Sequence, residues 1–208
     1  MGTEDAAELI AELKEQRSEH EQGERFNNVA AMIIATIAAV LAIGGLGGGN
    51  ATDDMVINNI RASDTWAFYQ AKNVRQTMYE LELAELEGRL PQAGPDRAAL
   101  EARIAEARAT IARYDDEPDA EAPNDPLRGE GKKQLRTQAQ AFEAARDAAS
   151  ARDDNFDLAE MALQLALVLG SVAILASNRA VLIAASALGA LGAVLTLNGF
   201  ALLFPLPF

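Results

Sequence analysis

Apolar residues fall into blocks along this chain, and the blocks set its architecture. From Leu158 to Phe204 the sequence is almost unbroken apolar residues, interrupted at Ser177-Asn178-Arg179. Each half is long enough for a hydrocarbon core of ~30 Å, which takes about 20 residues at ~1.5 Å rise. The interruption has room only for a tight turn, so two antiparallel membrane helices are expected at 158–177 and 180–204. A third uncharged block, 28–47, predicts the first span, and the glycine run Gly44 to Gly49 is expected to end or loosen that helix. A signal peptide would carry a short basic leader, whereas the residues before this block are long and net acidic.

The polar blocks carry helical spacing. Residues 1–27 form an acidic segment with one stripe of Ala6, Leu9, Ile10 and Leu13, closed by Gly23; a docking helix for a protein partner is one use for it. Residues 48–157 predict a helical extramembrane domain. In its first part Ile60, Ala67, Val74 and Leu81 recur every seven residues, with Ala71 and Met78 between them, which predicts a buried, narrow coiled-coil seam. A second helix starts with Asp96 as N-cap and repeats Leu100, Ile104, Ala107, Ile111 and Tyr114 by four and three. Residues 115–131 are acidic and rich in proline, which predicts a flexible connection; a calcium loop would need alternating ligands around a central glycine, and these are missing. From Lys132 the heptad Leu135, Phe142, Ala149, Phe156 and Leu163 runs into the membrane with no proline or glycine before Gly170, so a single helix of ~45 residues is expected. The three soluble seams are expected to close as an antiparallel bundle, since such helices gain most of their stability from tertiary burial.

Composition and charge narrow the functions. Half of the residues are hydrophobic and about a quarter charged, with a net charge of −13. So acidic a chain repels nucleic-acid phosphate and binds anionic lipid surfaces poorly. There is no cysteine, which excludes disulfides and thiolate metal sites, and the single His20 reads as a solvated residue. The glycine run lacks the Lys-Ser/Thr of a phosphate loop, and no nucleophile–base pair or metal set is visible, so neither an enzyme nor a cofactor is expected.

The stretch Asn58-Asn59-Ile60-Arg61-Ala62-Ser63-Asp64-Thr65-Trp66-Ala67-Phe68-Tyr69-Gln70-Ala71-Lys72 resembles a bacterial membrane-protein family, domain of unknown function 4337. One span, a long helical loop and a terminal pair of spans agree with it over the whole chain. The resemblance implies a bacterial membrane location and supplies no activity. It points to Trp66, Tyr69, Gln70 and Lys72 as packing residues of the motif.

Polar groups near the spans are the remaining candidates. Asp53 and Asp54 follow the first span, and in a symmetric oligomer would ring its mouth with acid. Glu160 and Gln164 share one face of the second span, where a carboxylate is a candidate pore lining. Asn198 is placed to join helices by hydrogen bonding. Stripes of small residues, Ala166, Gly170, Ala173 and Ser177, then Ala185, Gly189 and Ala193, permit close packing within the hairpin or between copies. Arg25 and Arg179 favour a cytoplasmic N-terminus and turn, against Arg146 and Arg152 on the other side, leaving the helical domain periplasmic. The sequence therefore predicts an all-α, three-span protein of the bacterial inner membrane with a coiled-coil-like extramembrane domain. The expected role is a homo-oligomeric, non-enzymatic scaffold, self-associating through Ala-rich seams or small-residue faces in the lipid bilayer. An oligomeric cation channel is the alternative.

Overall fold

The computed structural model describes residues 3–206, without the side chains of residues 3–12, Glu15 and Glu19. The N-terminal stripe of Ala6, Leu9 and Ile10 therefore lies outside the described side chains. The chain is helical: α1 (Thr3–Arg89), α2 (Arg97–Asp115), α3 (Lys132–Leu175) and α4 (Arg179–Ala201), with two short 3₁₀ turns between α1 and α2. Among the described residues no strand forms; one isolated bridge joins Pro118 and Gly129. Helices α1, α3 and α4 are each long and apolar enough to cross a membrane.

Two expected breaks are absent. Neither Gly23 nor the run Gly44 to Gly49 ends α1, which continues without interruption for 87 residues. A helical glycine costs about 1 kcal/mol relative to alanine, and the packing explains why the helix persists. A Cβ on Gly47 would lie 2.5 Å from the Phe156 ring and 2.9 Å from that of Phe200, and one on Gly48 would lie 3.2 Å from Phe156 Cβ. Here the glycines admit a large aromatic residue to the helix backbone. Asp96 does occupy the N-cap position of α2, but its side chain makes no capping hydrogen bond.

The chain divides into two compact units, residues 1–52 with 149–208, and residues 53–148. In the first, α1, α3 and α4 pack through the small residues that the spacing singled out. Ala166, Ala173 and Ala185 are fully buried, and Ile37 sits against Leu163 and Ala166. A Cβ on Gly189 would meet Ile37 at 2.7 Å, and one on Gly192 would meet Leu163 at 2.5 Å. These faces are thus used inside the chain. Phe156 is buried among the α1 glycines, Gly199 and Phe200, whose ring stands edge-on at 4.9 Å. Asn198 is buried as well; its amide donates to Asn155 Oδ1 at 2.7 Å and to the Phe204 carbonyl at 2.9 Å. The Phe204 amide donates back to Asn198 Oδ1 at 3.1 Å, which ties the chain after α4 to the helix it leaves.

In the second unit the three helical segments do not close the antiparallel bundle that the seams predicted. Helix α2 meets the far part of α1: the Tyr79 and Tyr114 rings lie 5.8 Å apart at a tilt of 56°, Arg103 pairs with Glu82, and Gln76 donates to the Ile111 carbonyl. Helix α3 meets the preceding part: Arg61 lies over the Phe142 ring, Trp66 bonds to Glu143, and Lys132 bonds to Asn73. The two helices follow one another along α1. Within this unit each level of α1 therefore has one helical neighbour.

That arrangement overturns the expected α1 seam. Ile60, Val74, Met78 and Leu81 are between 54% and 67% exposed, and Ala67 and Ala71 are exposed too. The inward face is the opposite one, on which Ala62, Lys72, Gln76 and Leu86 are buried and Trp66, Tyr69, Tyr79 and Leu83 half-buried. The other seams lie as their spacing predicted. Leu135, Ala149, Phe156 and Leu163 are buried along α3, with Phe142 half-buried, and Ile104 and Ala107 are buried on α2.

Candidate functional site

The motif residues gather around a buried cation. Lys72 lies on the inward face of α1, where its side chain is 5% exposed. A buried ammonium is costly unless it is paired and fully hydrogen-bonded. Here Nζ donates to Glu117 Oε2 at 2.8 Å and to the Glu130 carbonyl, with the Glu130 carboxylate at 3.9 Å. The faces of Phe68 and Tyr114 lie 5.5 Å and 5.7 Å away, where ring quadrupoles attract a cation.

Both acidic partners come from the segment expected to be a flexible connection, and that segment is folded against itself. The Glu130 amide donates to the Glu117 carbonyl at 2.9 Å. Gly129 permits this with φ +112; a Cβ there would stand 2.4 Å from the Glu117 carbonyl oxygen, so no other residue fits. The Glu117 amide donates to Gln134 Oε1, and the Asp119 carboxylate accepts from the amides of Glu121 and Ala122. The sequence reading missed Glu117 and Glu130, because solvated acid in a proline-rich stretch carries no spacing signal.

Two loop carboxylates are held below the usual range. Hydrogen bonds from Gln134 and then Lys133 lower Asp116, and the Glu121 amide is the main cause for Asp119. A depressed carboxylate contributes stability above its unfolded value of about 3.9 and loses it as pH falls through the folded value. The loop should therefore keep its hydrogen bonds at pH 4 and open in stronger acid. In a carbon-detected NMR titration the Asp116 and Asp119 midpoints should both fall below the ~3.9 of a free aspartate; midpoints at that value would contradict the turn.

The other motif residues pack α1 on α3. Trp66 Nε1 donates to Glu143 Oε1 at 2.8 Å, and the indole meets Tyr69 edge-on at 5.5 Å. Arg136 donates to Tyr69 Oη at 3.0 Å and lies over its ring. Gln70 is exposed on the outer face. Gln76 is 6% exposed and its Oε1 has no partner, the one such buried side-chain atom among the described residues.

The candidate pore residues do not converge within the chain. Glu160 and Gln164 are exposed on α3 and satisfy one another, Gln164 Nε2 donating to Glu160 Oε1 at 2.7 Å. Asp53 and Asp54 are exposed and open the other unit. Thr36 lines an apolar groove of about 510 Å³ with Ile33, Ile37, Ser186 and Gly189. Both hydroxyls there donate to carbonyls of their own helices, so the groove suits hydrocarbon rather than a polar ligand. Among the described residues, no group of three or more His, Asp or Glu is placed to hold a metal ion.

A family model described as a domain of unknown function, DUF4337, matches residues 26–202. The chain belongs to this family. The match takes in α1 from Phe26, the Lys72 cluster with its loop, and the whole of α4. Comparison with curated proteins and with solved structures gives no match.

Proposed function

We propose that this member of the family is a non-enzymatic, homo-oligomeric scaffold of the bacterial inner membrane. The observation that carries this reading is the use of the motif. Trp66, Tyr69 and Lys72 turn inward and bind other parts of the chain, which is what residues that hold an architecture do. Neither a substrate nor a cofactor is needed to account for them. The N-terminus and the Asn178 turn face the cytoplasm and the Lys72 unit the periplasm, a reading that rests on Arg25 and Arg179. The acidic segment of residues 1–27 is assigned to docking a protein partner, on its charge and its apolar stripe.

The test is the mass of the complex in lipid nanodiscs. The expected result is two or more copies of a 22.1 kDa chain. A single copy at membrane-like protein density would refute the scaffold reading. The channel alternative draws on the exposed Glu160–Gln164 pair, which only a neighbouring copy would turn into a lining. It requires cation current in planar bilayers that falls in Glu160→Gln.

A further inference from the structure

The apolar groove between α1 and α4 is lined by Val29, Met32, Thr36 and Val40 on one helix and by Ser186, Ala190 and Ala193 on the other. Small residues on α4 leave the space open. Its two hydroxyls, Thr36 and Ser186, already donate to the Met32 and Leu182 carbonyls, so neither calls for a polar guest. Along α1 the groove runs from Val29 to Val40, ~16 Å at ~1.5 Å per residue, about half of a ~30 Å hydrocarbon core. It is therefore as long as the acyl chains of one leaflet.

Charge marks one end of the groove. Gly189 faces Ile37, and Ala30 packs in one cluster with Leu182, so α1 and α4 run side by side in the same direction. Arg25 precedes Ile37 by twelve residues and Arg179 precedes Gly189 by ten. This sets the two arginines within ~3 Å of one level along the axis. Helical spacing puts both on the groove's side. Arg25 lies one turn before Val29 on α1, and Arg179 two turns before Ser186 on α4. Both are exposed, and among the described side chains neither forms an ion pair. The acids nearest Arg25 are engaged elsewhere, Glu21 with Arg17 at 3.5 Å and Glu24 with His20 at 3.3 Å.

We infer that this is a binding site for one anionic phospholipid, with an acyl chain in the groove and the phosphate between Arg25 and Arg179. The inference rests on α1 and α4 being membrane spans and not on the number of copies. Guanidinium groups match phosphate oxygens two at a time. Two of them beside an apolar trough of leaflet length hold both parts of such a molecule. The net charge of −13 disfavours adsorption of the chain to an anionic surface. A single headgroup responds instead to charges within ~8 Å at physiological salt, and the acids nearest Arg25 are already paired. A second copy fits the groove less well. Inserted in the same sense, it brings the same arginines to the same level and offers them no counter-ion.

The test is retention of lipid by the full chain purified in an uncharged detergent, read by native mass spectrometry. The probes are dioleoyl phosphatidylglycerol and dioleoyl phosphatidylcholine, whose equal chains isolate the headgroup. One bound phosphatidylglycerol is expected, held at least tenfold more tightly than phosphatidylcholine. Arg25→Gln with Arg179→Gln should remove that preference and leave retention of the chain, while Arg25→Lys with Arg179→Lys should keep it. Ala190→Phe, at an exposed position, should fill the groove and lower retention of both lipids about tenfold, with helix content by circular dichroism unchanged. Equal retention of the two lipids by the wild type, a preference that survives loss of both arginines, or full retention in Ala190→Phe would overturn the site. Displacement of the lipid by millimolar glycerol phosphate would make it a soluble-anion site instead. Assembly lost in Ala190→Phe, from a wild type that holds no lipid, would give the groove to a second copy. A chain that stays in solution without detergent would overturn the membrane reading itself.

Discussion

A leucine in place of Gly47 should destabilise the membrane unit by about 3 kcal/mol, the upper part of the range for overpacking. Intrinsic propensity argues the other way, since an interior helical glycine costs about 1 kcal/mol against a good helix former. Contact decides the sign. The first side-chain carbon would already stand 2.5 Å from the Phe156 ring and 2.9 Å from Phe200. The ring cannot retreat, because a Cβ built on Gly199, on α4, would itself lie 2.8 Å from it. Even Gly47→Ala should lose stability for the same reason. Phe156→Ala alone should cost about 3 kcal/mol through the void it leaves. Combining Gly47→Leu with Phe156→Ala should recover a large part of the loss, as the new side chain fills the vacated space. Unfolding in mixed micelles with rising SDS measures all three. Stabilisation by Gly47→Ala would show that the glycines serve some purpose other than close approach.

Removing Glu117 should harm the second unit more than removing its partner. Glu117→Leu leaves the ammonium of Lys72 buried with the Glu130 carbonyl as its remaining close acceptor, and breaking a buried pair in this way costs about 3 kcal/mol. Lys72→Met leaves Glu117, which is 34% exposed and can turn to water, so about 1–2 kcal/mol is expected. The double variant should lie well below the sum, because neither charge is then stranded. Trp66, the sole tryptophan, reports unfolding of this unit by fluorescence in denaturant. Additive losses would show that the 2.8 Å contact does not couple the two residues.

The same asymmetry explains why proline and acid between α2 and α3 were misleading as signs of flexibility. Composition describes what a segment cannot bury, and residues 116–131 bury little of their own. They are ordered because Gly129 and Gly131 let two backbone stretches touch, and because Lys72 needs acceptors. Acceptors for a buried lysine leave no periodic mark in a sequence.

Much of the molecule was nonetheless legible in order along the chain. Uncharged runs of about 20 residues can satisfy their backbone in hydrocarbon only as helices, and three helices long and apolar enough to cross are present. The heptad from Leu135 to Leu163 faces inward on one helix, because each of its turns has a single apolar side to hide. The motif around Trp66 was enough to indicate the family that the match over residues 26–202 shows. What only the tertiary structure decided is which side of α1 lies inside. Two stripes on that helix have helical spacing, one aliphatic and one polar and aromatic, and hydrophobicity alone selects the first. The fold selects the second, since its Lys72 meets a carboxylate 45 residues away and its Trp66 one 77 residues away. Periodicity records how a helix could pack, while the choice between its faces depends on partners that chain folding brings from a distance.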